Sequence, residues 1–360
     1  MKRFHKLGSV LTAVAVGLCA AASVLSASAA VTISDGTFEY TYNNGAWTLY
    51  SYVGEETTVS LPQSYADAPV TGIANECFSQ TNVTSVTIPQ GYTTIGNYAF
   101  YRCENLESIS LPDTVSSVGM GAFAESGITS ADLSATKLTV INPYLFLNCS
   151  ALESVLLPQG ITVIGEAAFA ESAIESIDIP GSVTELQRAA FANTDSLETV
   201  SVHEGLRSIG ESCFENSSLS HIRLPETLET IGDSALRSDM NLKQLYIPDS
   251  VNSIGAYALY PMSIQSSIEV ICFKESYADT YCYENFVRNT TVYDKLYGDV
   301  NLDGRRNVND VAAIQRICAE VNGPKVPGDV LADTNHDGIV SIVDATLLQR
   351  FLAEFDDAII

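Results

Sequence analysis

Two stretches near the C-terminus carry oxygen side chains at a repeated spacing. Asp299, Asn301, Asp303, Asn307 and Asp310 occupy positions 1, 3, 5, 9 and 12 of a loop with Gly304 at position 6. The same frame recurs 34 residues later as Asp333, Asn335, Asp337, Ser341 and Asp344 around Gly338. A hard cation takes six to eight oxygens, and the glycine lets the chain curl around it. Position 7 would donate a backbone carbonyl, here from Arg305 and Ile339. Two loops in register, each followed by an apolar helical stretch, point to two bound Ca2+ ions rather than to solvated acidic turns.

No comparable constellation supports catalysis. Of the four histidines, His5 opens the chain, His203 and His221 fall in a repeat, and His336 is position 4 of the second loop. No Ser/His/Asp spacing, HExxH, phosphate loop or zinc pattern is present. Glu107, Glu153, Glu175 and Glu198 recur at one repeat position. A general acid needs one unusual carboxylate pair, not a periodic row, so these predict a solvated edge. The expectation is a protein that is not an enzyme.

The segments flanking the loops decide what kind of module holds them. Tyr297-Gly298 and Pro327-Gly328 disfavour an entering helix, and position 12 is Asp, not the longer Glu of sensor hands. Helices are predicted only after the loops, over Val311 to Glu320 and Ala345 to Glu354, with matching Ile314-Gln315-Arg316 and Leu348-Gln349-Arg350. A duplicated loop-helix from Gly298 to about Phe355 resembles a type I-like dockerin. That resemblance implies calcium-dependent docking to a cohesin module of a cellulosome-type scaffold protein. It also implies that loop positions 10 and 11 and the helix starts choose the cohesin. Those are Val308, Asn309, Gln315 and Arg316, then Ile342, Val343, Gln349 and Arg350. Many type I dockerins carry Ser-Thr at positions 10 and 11, so the mainly apolar pair here leaves the cohesin class open. Internal packing of Ile342 and Val343 is the competing reading.

Upstream, phenylalanine recurs at Phe78, Phe100, Phe123, Phe146, Phe169, Phe191 and Phe214, with Leu236 and Leu259 continuing the series. Five residues before each stands an aliphatic, Ile73 through Ile254, so both ladders step by 22 or 23 residues through nine copies. Between them lies Leu-x-x-Ile-x-Leu-Pro, as in Leu106 to Pro112 and Leu152 to Pro158. Its period-2 alternation predicts a short strand with one face inward, ended by a proline that lacks a donor. Each coil alone cannot bury its inner face, but stacking buries it.

With Ile95-Gly96-Asn97-Tyr98-Ala99-Phe100 as its hallmark, this pattern resembles the bacterial leucine-rich repeats of BspA-like type, from roughly Val70 to Tyr260. The implied fold is mainly β: a right-handed leucine-rich-repeat solenoid of about nine repeats, plus a small α-helical dockerin. Ser134 and His203 depart from the proline, and Asn142 and Gln187 from the glycine. Phe38 to Tyr52, around Asn43-Asn44-Gly45, predicts a capping hairpin, and Ile268 to Asn285 a closing strand and helix. The expected layout is a signal peptide over 1–30, hairpin cap over 31–69, repeats over 70–260, C-terminal cap over 261–297 and dockerin over 298–360.

The signal expectation rests on Lys2, Arg3 and Lys6 before an apolar run ending at Ala27-Ser28-Ala29-Ala30. The chain has 18 basic and 43 acidic residues and a net charge of -25, which repels nucleic acid and anionic lipid surfaces. Nothing after the leader is apolar for long enough to insert in a membrane. The seven cysteines beyond Cys19 lack tight spacing and recur beside the repeat phenylalanines, predicting small buried roles over bridges. Outward strand positions are small and hydroxylated until His221, Arg223, Gln244 and Tyr246, the best candidate ligand patch. Trp47 and neighbouring tyrosines are a second candidate, competing with cap packing. The sequence therefore leads to a secreted, non-catalytic accessory protein, monomeric when free. It would attach to a cell-surface scaffold and present the solenoid to a protein or glycan. A polysaccharide-active enzyme and a free adhesin are the alternatives.

Overall fold

The computed structural model describes residues 32–238, 241–260, 268–292, 300, 308–319, 332 and 342–354. The expected signal peptide lies outside them. The repeats form a right-handed β-solenoid of about nine turns, followed by a small helical region.

Each coil has three sides, and each is stacked on the next by backbone hydrogen bonds. The first is the strand predicted from alternation. Ser108–Ser110, Ser130–Asp132 and Ser154–Leu156 pair in parallel and unshifted register, each with its middle residue buried and its flanks exposed. Ser176–Ile179 and Thr199–Val202 continue the pattern. The second side is a run of two-residue strands, including Val163–Ile164, Glu185–Leu186, Ser208–Ile209 and Thr230–Ile231. Their second residue is the buried aliphatic ladder seen in the sequence.

Among the described residues the third side contains no strand, yet it too is bonded regularly from coil to coil. Tyr98, Phe100 and Arg102 donate their amides to the carbonyls of Met120, Ala122 and Ala124 in the next coil, at 2.9, 2.7 and 3.0 Å. The same three bonds recur from Gly121, Phe123 and Glu125, and again from Tyr144, Phe146 and Asn148. The residues two before and two after each phenylalanine have positive φ, for example Tyr98 at 55° and Arg102 at 55°. A left-handed non-glycine residue costs about 1–2 kcal/mol, which the inter-coil bonds offset.

Inside this side the phenylalanines form one pile. From Phe78 to Phe214 consecutive rings are 5.0 to 5.6 Å apart with planes 4 to 17° from parallel, and all are fully buried. Three residues after each phenylalanine stands a Thr, Ser or Cys. Ser172 and Thr194 bond the carbonyls of Phe169 and Phe191 at 2.7 Å, whereas Cys103 and Cys149 reach Phe78 and Phe123 of the preceding coil at 3.0 and 3.1 Å. Cys103 and Cys149 thus take the place of hydroxyls, and none of the seven described cysteines forms a disulfide.

The departures from the repeat are repaired locally. Ser134 donates both its amide and its hydroxyl to Asp132, at 2.9 and 2.6 Å, which closes the turn that proline closes elsewhere. His203 pairs with Asp178 of the preceding coil at 2.7 Å. At the glycine position the coils touch: a Cβ on Gly165 would lie 2.7 Å from the Ile141 carbonyl oxygen. Asn142 stands there in the coil before and donates to the Val118 carbonyl at 2.6 Å. Between Val118 and Val140 the second side loses its strand pairing and divides into two sheets.

Both ends are covered. Strands β1 (Thr32–Ser34), β2 (Phe38–Asn43) and β3 (Ala46–Tyr52) are antiparallel, and β3 then pairs in parallel with Ala68–Ile73. Asn44 and Gly45 both have positive φ in the connecting turn, as an Asn-Gly hairpin requires. At the other end Glu269–Phe273 adds a parallel strand, and helix α1 (Tyr277–Glu284) starts at Ser276, whose hydroxyl accepts the Asp279 amide at 3.1 Å. Tyr281 of this helix is buried in the same core as Ala258 and Leu259 of the last coil.

Candidate functional site

Helices α2 (Val308–Ala319) and α3 (Ile342–Glu354) follow the two acidic loops. Each begins three residues earlier than its sequence pattern predicts, at loop position 10. The reason is at position 12. Asp310 and Asp344 stand in the first turns, where a carboxylate favours the helix N-terminus. Both are wholly buried, and Asp310 Oδ1 accepts the Val300 amide at 2.9 Å. A buried carboxylate at the end of an oxygen-rich loop has the chemistry of a hard-cation ligand, because burying such charge uncompensated is costly. The other ten expected ligands, Asp299, Asn301, Asp303, Arg305, Asn307, Asp333, Asn335, Asp337, Ile339 and Ser341, lie outside the described residues.

The two helices share a small apolar core of Val300, Val311, Ile314, Ala332, Ala345 and Leu348. Their outward faces correspond at the 34-residue offset. Val308 is 74% exposed, Ile342 59% and Val343 51%, and Asn309, Gln315 and Gln349 are exposed as well. Ile342 and Val343 therefore do not pack internally. The side chains of Arg316 and Arg350 lie outside the description.

On the solenoid, the repeat glutamates Glu107, Glu153, Glu175 and Glu198 are all exposed along one edge, as expected of a solvated row. The carboxyls of Asp35, Glu125, Asp132 and Glu166 are held below their ordinary values: by Tyr40 and backbone amides against burial at Asp35, by Arg102 at Glu125, by Ser134 at Asp132 and by Tyr144 and Arg188 at Glu166. A general acid needs the opposite shift.

The predicted patch at the C-terminal end of the strand face is assembled in part. His221 and Gln244 are exposed, while Arg223 and Tyr246 are half-buried. Tyr246 donates to Glu226 at 3.1 Å, Gln244 to Glu269 at 3.1 Å, and His221 Nδ1 lies 2.8 Å from the Ser220 hydroxyl. Trp47 is 7% exposed, between Tyr40, Tyr42 and Tyr65, and belongs to cap packing.

A third surface escaped the sequence reading. On the phenylalanine side, Tyr98, Tyr101, Tyr144 and Leu147 border a cleft of about 560 Å³, with Glu76, Ser79 and Gln80 at one rim. Its signal lay in the positions two before and one after each phenylalanine. Those hold small residues in the middle coils but tyrosine at 98, 101 and 144.

A leucine-rich solenoid joined to a duplicated loop-helix module defines the class. Residues 71–198 and 162–288 match the BspA type leucine rich repeat region, in 6 copies, and residues 297–353 match the dockerin type I domain. The chain belongs to the BspA type leucine rich repeat family and carries a C-terminal dockerin type I domain. Among solved structures it is similar to a leucine rich cell surface protein from Faecalibacterium prausnitzii, with 25% identity, 68% of this chain and 77% of that chain covered, and a TM-score of 0.45. It is also similar to the leucine rich repeat protein of T. pallidum, at 22% identity, 62% and 85% coverage and a TM-score of 0.39. A leucine-rich repeat protein from Eubacterium ventriosum matches at 22% identity, 69% and 67% coverage and a TM-score of 0.40. No curated protein matches the chain.

Both modules are non-catalytic surface or adhesion modules. Their combination is typical of secreted cell-surface or cellulosomal adhesion proteins. Dockerin type I domains bind Ca2+ and generally pair with cohesin modules.

Proposed function

We propose that this chain is a secreted accessory protein of a cellulosome-type assembly. Its dockerin, over 298–360, docks on a cohesin of a scaffold protein when loaded with two Ca2+ ions. Asp299, Asn301, Asp303, Arg305, Asn307 and Asp310 hold the first ion. Asp333, Asn335, Asp337, Ile339, Ser341 and Asp344 hold the second. The observation that carries this reading is the pairing, in each half, of a wholly buried position-12 carboxylate with exposed apolar residues one or two positions before it. Burial of Asp310 and Asp344 supports metal loading, and exposure of Val308, Ile342 and Val343 supports a partner surface. Asn309, Gln315, Gln349 and the two arginines, Arg316 and Arg350, complete that surface.

The solenoid, over 70–260 with caps at 31–69 and 261–297, offers a protein or glycan ligand its strand face and the cluster of His221, Arg223, Gln244 and Tyr246. The leader over 1–30 directs export, and the scaffold holds the protein at the cell surface. Calorimetric titration of the protein against a cohesin panel, with Ca2+ and then with chelator, tests the docking half. Tight binding that chelation abolishes is the expected result. Calcium binding without affinity for any cohesin would sink it.

A further inference from the structure

We infer that the cleft between Tyr98 and Tyr144 binds a neutral oligosaccharide. The inference deepens the reading of the solenoid as the ligand-presenting half and rests on it. The volume of about 560 Å³ lies within the range of small-molecule sites.

Its walls are aromatic and held in place. Tyr98 packs on the coil above through Gly121, where a Cβ would lie 2.4 Å from the tyrosine ring, so this repeat has no side chain to fill the space between the tyrosines. Tyr98 and Tyr101 meet edge to face at 5.7 Å. The Tyr101 hydroxyl donates to Glu125 and the Tyr144 hydroxyl to Glu166, each at 2.9 Å. Rings fixed in this way lose little freedom when a ligand stacks on them.

The same bonds choose the ligand. Glu125 is neutralised by Arg102 at 2.6 Å, and Glu166 by Arg188. The wall carboxylates are already paired, so the charge left to the cleft is that of Glu76 at its rim, a single acceptor rather than a cation-binding cluster. The chain's net charge of -25 disfavours an anionic polymer. What fits is an uncharged molecule with an apolar face and a hydroxylated edge. The C–H face of a pyranose stacks on a tyrosine, and its hydroxyls reach Glu76, Ser79 and Gln80 at the rim.

The test uses the full chain with Ca2+ and four probes: cellotetraose, xylotetraose, mannotetraose and, as the anionic comparison, tetragalacturonate. At least one neutral tetrasaccharide binds in calorimetry and shifts tyrosine ring resonances of the unmutated protein. Tyr98→Ala and Tyr144→Ala each weaken that binding about tenfold, the loss expected for one stacked ring. Lys137→Ser, outside both the cleft and the strand face, leaves it unchanged. Absence of binding by all three neutral probes, or tighter binding of tetragalacturonate, overturns the inference. So does binding that is lost in Arg223→Ala or Gln244→Ala and kept in the tyrosine variants, although that outcome leaves the solenoid as the ligand-presenting half. Ring shifts in the unmutated protein decide the matter even if an alanine variant fails to fold.

Discussion

Phe169 and Phe191 stack at 5.3 Å with their planes 4° from parallel, and neither ring is exposed to solvent. Successive coils therefore share one aromatic column, and each ring fills space that its neighbours cannot reach.

Phe169→Ala should destabilise the solenoid by about 3–5 kcal/mol, the cost of a large buried cavity. Phe169→Leu should cost less, since Leu236 and Leu259 already continue the column in the last coils. Coils touch only their neighbours, so lost hydrogen-exchange protection should centre on the adjacent repeats. Urea unfolding of both variants with exchange mapping checks the size and the spread.

The N-terminal hairpin should loosen in acid. Burial raises the Asp35 carboxyl, but hydrogen bonds from Tyr40, Phe38 and Thr37 outweigh it and hold the group below its ordinary value. The distances are 2.6, 2.7 and 2.8 Å. A depressed folded-state value means stability that is present above the unfolded value, about 3.9, and lost as pH falls through the folded one. Trp47 is the one tryptophan of the chain and packs against Tyr40, so its emission reports this cap. Thermal melts followed by that emission should weaken below about pH 4. Asp35→Asn should be less stable at neutral pH and lose most of the acid dependence.

What was legible in the sequence was whatever repeats. The aliphatic and phenylalanine ladders fixed the period, and the alternation around Ile109 and Ile177 gave the strands. The third-side ladder was not legible, because no residue type marks a left-handed position occupied in turn by Tyr98, Arg102, Glu125 and Asn148. The tyrosine cleft was missed for a related reason. It is made by the positions where the repeat is irregular, and attention to outward strand residues looks at another face. The helix starts at Val308 and Ile342 were placed late because the apolar period begins only after the acidic residue that opens the first turn.

Chelation should unfold the helical module and spare the solenoid. The core formed by Val311, Ile314, Ala345 and Leu348 is small, and small modules of this kind draw much of their folding energy from metal. Excess chelator should remove helical signal in circular dichroism while the β signal stays. Asp310→Ala should lower the calcium stoichiometry from two ions to one, since the buried carboxylate closes only its own loop.

The two halves of the docking face should not contribute equally. They correspond residue for residue, but Val343 stands where the first half has Asn309. The second half therefore exposes two adjacent apolar side chains, at 59% and 51%, and the first only Val308, at 74%. Covering an exposed aliphatic is worth about 1.5–3 kcal/mol, and a partner that seats on the richer pair gains more. Replacing Ile342 and Val343 together by Asp should cost at least about 2 kcal/mol of cohesin affinity. The matching change at Val308 and Asn309 should cost less. Calorimetry of both double variants, each checked for calcium stoichiometry, measures the difference. Equal losses would instead mean that the cohesin engages both halves alike, and two wild-type-like affinities that it uses them interchangeably.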